Sequence, residues 1–151
     1  IKRKILNEMV EWNSQINYML DKYNLRQHII FLQGLNTKEM IEQYLKAHVF
    51  VSPSRIENSS NSVCEAKILG VPCVVSAVGG CRDLIEHGKD GFLYEFSDYR
   101  MCAYYIIKIF ENEELASRLS LNAIQSGEKY NSKEDNIKIL EIIYKQLAEQ
   151  E

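Results

Sequence analysis

One stretch, from Val49 to Gly80, constrains the fold of this chain more than any other. It reads VFVSPSRIENSSNSVCEAKILGVPCVVSAVGG, and its opening apolar run stops at Ser52-Pro53. A loop of small polar residues follows, and the pattern then predicts a helix from about Ser62 that ends at Gly70. A second apolar run leads on to Gly79-Gly80. This order predicts one βαβ unit, in which a helix N-terminus faces the carboxyl end of a strand.

The chemistry of this turn suits a ligand that carries both phosphate and sugar. Free backbone N–H groups at a helix N-terminus, with the helix dipole behind them, bind anionic groups such as phosphate. Glu57 and Glu65 bracket the turn, with seven residues between them. A carboxylate in such a place is suited to accept hydrogen bonds from sugar hydroxyls. Phosphate donors beside hydroxyl acceptors suggest a sugar nucleotide.

The order of these motifs resembles a known family. S-P-S-x-x-E beginning at Ser52, then seven residues, E-A at Glu65, G-x-P-x-V and G-G follow one another along the chain. That order is similar to the C-terminal, donor-binding half of a family-4 retaining glycosyltransferase of the two-Rossmann-domain (GT-B) kind, and weaker similarity covers nearly the whole chain. The family usually has an aromatic residue and a glycine after the first Glu, where this chain has Ser59 and Ser60. This departure would affect the fine shape of the predicted donor-binding pocket but not its location.

The resemblance implies roles for both carboxylates and for the start of the helix. Glu65 would bind the ribose hydroxyls of the nucleotide. Glu57 would be the catalytic residue, placed against the hydroxyls of the donor sugar and near the reacting carbon. Backbone N–H groups for the diphosphate are expected at the head of the helix, from Asn61, Ser62 and Val63. Ser60 and the pair Gly79-Gly80 complete the predicted donor site, the two glycines by a second close approach of backbone.

Each of these assignments has a simpler alternative. Glu65 could be an exposed helix residue that interacts with the helix dipole, and Glu57 could be a solvated loop carboxylate. A side chain at the helix start could merely cap it, which would satisfy only some of the four free N–H groups; the candidates are Ser60, Asn61 and Ser62. The Gly79-Gly80 pair could be only a turn. Arg55 is the one cation of the loop, and a surface position is the favoured interpretation.

The implied reaction is transfer of a sugar from a nucleotide diphosphate donor to an acceptor, with retention at the anomeric carbon. No cofactor and no metal is expected, since the chain has no D-x-D pair and its three histidines form no constellation. The family's phosphate-clamping Arg and Lys follow its first strand, in a region that this chain lacks. We therefore expect the chain alone to be inactive, with the acceptor, a glycan or a lipid-linked sugar, bound by an absent N-terminal domain.

Other functions remain open at this stage. The chain could be a non-catalytic sugar-nucleotide-binding or regulatory module, a purely structural α/β domain, or part of a nucleotide-sugar epimerase on the same scaffold. Its net charge of −3 argues against nucleic acid as a partner. We expect a cytoplasmic location, with the inner face of the membrane as an alternative for the full-length protein. The four cysteines are expected to be free thiols, because they show no paired spacing.

The rest of the chain predicts a single partial Rossmann-like domain over residues 1–151, of α/β class. Helices are expected near 3–24, 37–47, 98–111, 113–128 and 133–149, with a short one carrying Leu84 and Ile85. The first is expected to be amphipathic, with an apolar stripe of Ile5, Met9, Trp12, Ile16, Met19 and Tyr23. Thr37 can cap the second, whose buried side is expected to be Met40, Ile41, Tyr44 and Leu45. Ser132 and Asp135 are placed like a capping box at the start of the last helix, whose apolar residues are Ile137, Leu140, Tyr144 and Leu147. Strands are expected at Ile29–Leu32, Val49–Val51, Cys73–Ala77 and Gly91–Glu95. In the family's strand order, 3-2-1-4-5-6, these would be the third to the sixth, with the first two missing.

The missing strands would leave an open edge on the strand at Val49–Val51. An unpaired edge in a parallel sheet invites pairing with another strand. One of three outcomes is expected: the missing strands exist in a longer protein, a second copy of the chain pairs at this edge, or Ile29–Leu32 moves inward beside Val49–Val51.

Overall fold

The computed structural model describes residues 14–130 and 132–149. They fall into two compact units, one that ends at Leu35 and one that begins at Asn36. In the first unit, helix α1 covers residues 14–22, and a short 3-10 turn follows at Arg26–His28. The second unit contains the strands and all the residues of the predicted donor site. The prediction of one domain over the whole chain stays a prediction.

The second unit is built on a three-stranded parallel sheet. Strands β1 (Phe50–Ser52), β2 (Cys73–Ser76) and β3 (Gly91–Tyr94) lie side by side in that order. The register places Val51 beside Val74 in the central strand. These are the strands that the resemblance assigns to the fourth, fifth and sixth places, and their adjacency confirms that part of the prediction.

Helices precede, separate and follow these strands, as expected of a Rossmann-like α/β fold. They are α2 (Thr37–Lys46), α3 (Asn61–Ile68), α4 (Cys81–Leu84), α5 (Tyr99–Phe110), α6 (Glu113–Tyr130) and α7 (Lys133–Ala148). Their bounds lie within a few residues of those predicted. No helix among the described residues is long and apolar enough to cross a membrane.

Strand β2 lies at the centre of the core. Its Cys73 and Val75 side chains pack into one apolar cluster with Val63 of α3, and Val74 packs into another with Leu119 of α6. All five side chains are completely buried. The alternation follows from the pleat of a strand that is covered on both faces. This rigid centre fixes the two loops that leave the carboxyl ends of β1 and β2.

The predicted strand at Ile29–Leu32 is wrong. These residues belong to no strand, and Ile30 and Phe31 are 84% and 66% exposed. A strand needs a hydrogen-bonded neighbour, and none of the described strands pairs with this segment. Of the three expected outcomes, pairing of this segment with β1 does not occur, because in the described part of the chain β1 pairs with β2 alone. The other two outcomes stay predictions.

Helix α1 buries a different residue from those predicted. The predicted stripe began with Ile5, Met9 and Trp12, which lie outside the described residues. Its remaining members, Ile16, Met19 and Tyr23, are 39–55% exposed, and the buried side chain is Leu20. The described part of this unit is too small to cover a whole helix face, so these members of the apolar stripe are exposed.

Helix α2 begins one residue earlier than its predicted cap. Asn36, not Thr37, is the N-cap, and Asn36 and Glu39 form a reciprocal capping box. The side chain of Tyr44 is buried, as predicted. The other members of the predicted buried side, which are Met40, Ile41 and Leu45, are exposed. No described element of this unit covers them.

Helix α7 carries an exposed apolar surface. Ser132 caps it by accepting the N–H of Asp135, as predicted, but the Asp135 carboxylate pairs with Lys138 at 3.3 Å. The Asp135 side chain therefore does not make the reciprocal hydrogen bond, to the backbone N–H of Ser132, that the predicted capping box requires. The apolar side chains that the sequence places on this helix are 45–69% exposed: Ile137, Leu140, Tyr144 and Leu147.

Candidate functional site

The loop of residues 53–60, between β1 and α3, is held to the end of β2 by hydrogen bonds. The Ser76 hydroxyl, fully buried at the last position of β2, donates to the carbonyl oxygen of Ser54 at 2.6 Å. The backbone N–H of Gly80 donates to the carbonyl oxygen of Asn58 at 2.8 Å. The loop is therefore fixed near both of its ends. Sequence reasoning missed Ser76, although a serine that ends a buried strand was a usable signal.

Gly79 and Gly80 allow this loop to approach. A Cβ atom on Gly79 would lie 1.8 Å from the carbonyl oxygen of Glu57, and one on Gly80 would lie 2.2 Å from that of Asn58. Gly79 also has a φ of +47°, which side chains other than that of glycine rarely adopt. The two glycines are thus more than a turn: they let one loop of the predicted site pack directly on the other. An approach of this pair to phosphate stays a prediction.

The head of α3 presents three free backbone N–H groups. Ser60 is the N-cap, and its side chain makes no capping hydrogen bond. The first bond of the helix runs from the Cys64 N–H to the Ser60 carbonyl oxygen at 3.2 Å. No acceptor within the described residues faces the N–H groups that precede it, those of Asn61, Ser62 and Val63. These are the groups predicted to bind diphosphate, and the alternative of a Ser60 cap is wrong.

Glu65 lies one turn into α3 and contacts Tyr44 of α2. The Tyr44 hydroxyl donates to Glu65 Oε2 at 3.2 Å and lies 3.4 Å from the Ser62 carbonyl oxygen. Burial of the phenol and the nearby Glu65 carboxylate raise the pKa of Tyr44 to about 12. The hydroxyl therefore keeps its proton at neutral pH, and it can act as a donor. Glu65 itself is exposed to solvent.

Glu57 occupies the middle of the anchored loop and is partly buried. Its Oε1 accepts the N–H of the next residue, Asn58, at 3.2 Å. Burial raises the pKa of the Cys81 thiol at the start of α4, and the negative charge of Glu57 raises it further. Arg55 lies exposed over the ring of Phe96, with 5.7 Å from the guanidinium carbon to the ring centroid. This surface position was the one predicted.

A buried ion pair supports α3 from behind. Lys67 Nζ donates to Asp90 Oδ2 at 2.9 Å and to the carbonyl oxygen of Leu84, and both charged side chains are about 5–6% exposed. The other oxygen of Asp90 accepts the N–H of Glu86 at 2.8 Å. The pair ties α3 to the segment between α4 and β3. Sequence reasoning missed it, because a lone lysine in a helix is usually solvated.

Other features of the surface lie away from this site. A groove of about 310 Å³ is lined by Gly88, Phe92, Lys108, Asn112, Glu114, Leu115 and Arg118, none of which belongs to the predicted site. Within residues 14–130 and 132–149, no group of three or more His, Cys, Asp and Glu side chains is placed to hold a metal ion. All four cysteines are free, as predicted.

The sheet and its flanking helices define the class of this protein, the C-terminal domain of a GT-B glycosyltransferase. Sucrose-phosphate synthase from Thermosynechococcus elongatus matches the structure with a TM-score of 0.78 at 25% identity, over 91% of this chain and 35% of that chain. HepE of Anabaena, solved in complex with UDP, matches with a TM-score of 0.77 at 21% identity, over 92% of this chain and 37% of that chain.

The chain belongs to the family of glycosyl transferases group 1, whose model matches residues 10–126. It is 33% identical over 129 residues to the Escherichia coli UDP-Gal:alpha-D-GlcNAc-diphosphoundecaprenol alpha-1,3-galactosyltransferase, covering 83% of this chain and 32% of that protein. It is 30% identical over 113 residues to sulfoquinovosyl transferase SQD2 of Arabidopsis thaliana, covering 73% of this chain and 22% of that protein. The chain thus spans about a third or less of each relative, and the family resemblance is confirmed.

Proposed function

We propose that this chain is the donor-binding domain of a glycosyltransferase that transfers a sugar, with retention, from a nucleotide diphosphate sugar. One observation carries the proposal: three free N–H groups at the head of α3 lie within one turn of a carboxylate that another helix holds in place. The donor diphosphate would accept hydrogen bonds from Asn61, Ser62 and Val63, and the ribose hydroxyls would donate to Glu65. The known binding of UDP by HepE supports a uridine nucleotide as the first ligand to test.

The free N–H groups suit the leaving group of this reaction. As the bond between the anomeric carbon and the diphosphate oxygen breaks, negative charge accumulates on the diphosphate. Fixed N–H dipoles aimed at that charge stabilise it without reorganisation, and the dipole of α3 acts in the same direction. The acceptor hydroxyl oxygen forms the new bond to the anomeric carbon as the bond to the diphosphate breaks, and its proton leaves with the released nucleoside diphosphate. This chemistry needs no cofactor, and we expect none.

Glu57 is proposed to act on the donor sugar. It lies in the loop that leaves β1, on the same edge of the sheet as the head of α3. Its own loop is fixed by the contacts of Ser76 and Gly80, so the carboxylate has a defined position from which to accept sugar hydroxyls. We propose that acceptor binding and the rest of the phosphate clamp come from residues outside this chain.

A calorimetric titration tests the proposal. Nucleoside diphosphates and their sugar conjugates, beginning with UDP and UDP-glucose, are titrated into the protein and into Glu65→Ala. Loss of charge-assisted hydrogen bonds to ribose costs on the order of 1.5–3 kcal/mol, so UDP affinity should fall about tenfold or more. Glu86→Ala, which removes an exposed carboxylate that pairs with Lys89, is the matched control and should bind normally.

The same series separates the two carboxylates. In the full-length enzyme, Glu57→Ala should retain UDP affinity and lose turnover, because its proposed partner is the sugar. Unchanged UDP binding by a folded Glu65→Ala would remove the ribose assignment. Equal losses of binding and turnover in Glu57→Ala would remove the proposed division of roles.

A further inference from the structure

Tyr44 stands out among the residues outside the predicted site. It belongs to α2, which precedes β1, and its side chain is 7% exposed. Its ring packs at 5.6 Å from that of Phe50, measured between centroids. Its hydroxyl reaches the exposed face of α3, where it contacts the Glu65 carboxylate and the Ser62 carbonyl oxygen. The ring of Tyr44 is thus buried, while its hydroxyl group lies at the predicted site.

The hydroxyl of Tyr44 has one proton and two possible acceptors. Glu65 Oε2 is the nearer, at 3.2 Å against 3.4 Å for the Ser62 carbonyl oxygen. A hydrogen bond to a charged acceptor is also stronger than one to a neutral acceptor. The proton therefore lies toward the carboxylate. Because the tyrosine ring is buried against Phe50 and the Glu65 side chain is exposed, the bond restricts Glu65 rather than Tyr44.

The hydrogen bond from Tyr44 leaves acceptor sites on the Glu65 carboxylate free for a ligand. A carboxylate offers about four lone-pair sites on its two oxygens, and Tyr44 occupies one of them on Oε2. The remaining sites can accept two neighbouring hydroxyls. An unrestrained glutamate would first have to be ordered on binding, and immobilising a side chain of this length costs affinity.

We propose that Tyr44 is a positioning residue, which holds the Glu65 carboxylate ready to accept both ribose hydroxyls and so sets the preference for ribonucleotides over 2′-deoxyribonucleotides. The proposal rests on the proposed function, since it takes Glu65 as the ribose-binding group. Tyr44 does not touch the ligand, and it acts through Glu65. The ribose, rather than the diphosphate, is the part of the nucleotide whose recognition depends on it.

The experiment compares the affinities of UDP and 2′-deoxy-UDP by calorimetry. The variants are Tyr44→Phe, Glu65→Ala and the double variant. Tyr44→Phe keeps the ring contact with Phe50, and the exposed Glu65 carboxylate regains water, so the variant should fold. Tyr105→Phe is the matched control: it removes a hydroxyl that lies 3.5 Å from His87 Nε2, outside the site.

The expected result is a loss confined to the ribonucleotide. In Tyr44→Phe, the ratio of UDP affinity to 2′-deoxy-UDP affinity should fall about threefold to tenfold, the size expected for one hydrogen bond. The affinity for inorganic diphosphate should be unchanged. In the Glu65→Ala background, Tyr44→Phe should have no further effect, because the residue through which it acts is gone.

The possible outcomes separate the two proposals. Equal weakening of UDP and 2′-deoxy-UDP by Tyr44→Phe would make Tyr44 a structural residue and overturn the inference. The inference would also be overturned if Tyr44→Phe kept the parent ratio of UDP affinity to 2′-deoxy-UDP affinity while Glu65→Ala changed that ratio. If Glu65→Ala leaves the ratio unchanged, the ribose role of Glu65 fails, and the positioning role of Tyr44 fails with it.

Discussion

The backbone N–H of Gly80 donates to the carbonyl oxygen of Asn58 at 2.8 Å, which joins the loop after β2 to the loop after β1. The contact requires glycine for steric reasons, since a Cβ atom at position 80 would lie 2.2 Å from that oxygen. Its φ of −69° is one that alanine adopts freely. Substitution of Gly80 therefore tests loop contact without backbone strain.

Gly80→Ala should displace the loop of residues 53–60, which leads into the head of α3, and so weaken UDP binding. The helices and the sheet should survive, because the clash is confined to two surface loops. Calorimetry with UDP and circular dichroism measure the two effects. Gly88→Ala is the control: its φ is +79° and no atom lies within 4 Å of the added Cβ, so it strains the backbone but leaves the loop in place. Normal UDP affinity in Gly80→Ala would show that the loop contact does not shape the site.

Asn61→Pro should remove one phosphate donor while leaving the helix intact. Asn61 is the first residue of α3, where proline is well tolerated. Ser60 before it has an extended conformation, with a ψ of 105°, as the residue before a proline requires. UDP affinity should fall about tenfold, since a charge-assisted hydrogen bond is worth on the order of 1.5 kcal/mol or more. Asn61→Ala and Ser62→Ala keep the N–H groups and should have mild effects; a proline variant that binds UDP normally would exclude Asn61 as a donor.

Lys67→Met should destabilise the fold strongly. The change removes one member of a buried ion pair and leaves Asp90 charged and without that partner, a change that costs about 3–5 kcal/mol. Urea denaturation measures the free energy of unfolding. Lys89→Met breaks the exposed pair with Glu86 and should leave the unfolding midpoint in place. Similar midpoints for the two variants would mean that Lys67 and Asp90 are not a buried pair.

The raised pKa of Tyr44 should make the free energy of unfolding depend on pH in the alkaline range. Burial and Glu65 raise its pKa from 10 to about 12 in the folded chain. Below pH 10 both states keep the proton and the stabilisation is complete. Between pH 10 and 12 the unfolded chain releases the proton first, so the free energy of unfolding falls, at most by about 1.4 kcal/mol per pH unit for one proton. Urea denaturation at about pH 9 to 11 should show a shallower fall in Tyr44→Phe. The same slope in variant and parent would contradict a folded Tyr44 that retains its proton.

Local patterns predicted the central βαβ unit well. Polar residues between two apolar runs, with Gly70 and Pro72 closing the helix, determine where β1, α3 and β2 begin and end. Those features act over a few residues, so no knowledge of the rest of the fold was needed. The free N–H groups at the head of α3 follow from its position and were predicted too.

Features that depend on distant partners could not be predicted in this way. Ile29–Leu32 has the composition of a strand, but a strand forms only where a neighbour can pair with it. Tyr44 was expected to be buried, while the reach of its hydroxyl to Glu65 depends on how α2 packs on α3. The need for glycine at 79 and 80 arises from carbonyl groups more than 20 residues earlier in the chain.

Amide chemical shifts test the central claim, that a donor diphosphate binds at the head of α3, most directly. A chain of 17.6 kDa is small enough for assigned ¹H–¹⁵N spectra, recorded as UDP is added. The account predicts that the largest downfield proton shifts occur at Asn61, Ser62 and Val63, as their free N–H groups acquire phosphate acceptors. Saturable shifts clustered instead around Lys108 and Arg118, in the groove away from this loop, or no shift at the head of α3 at saturating UDP, would contradict it.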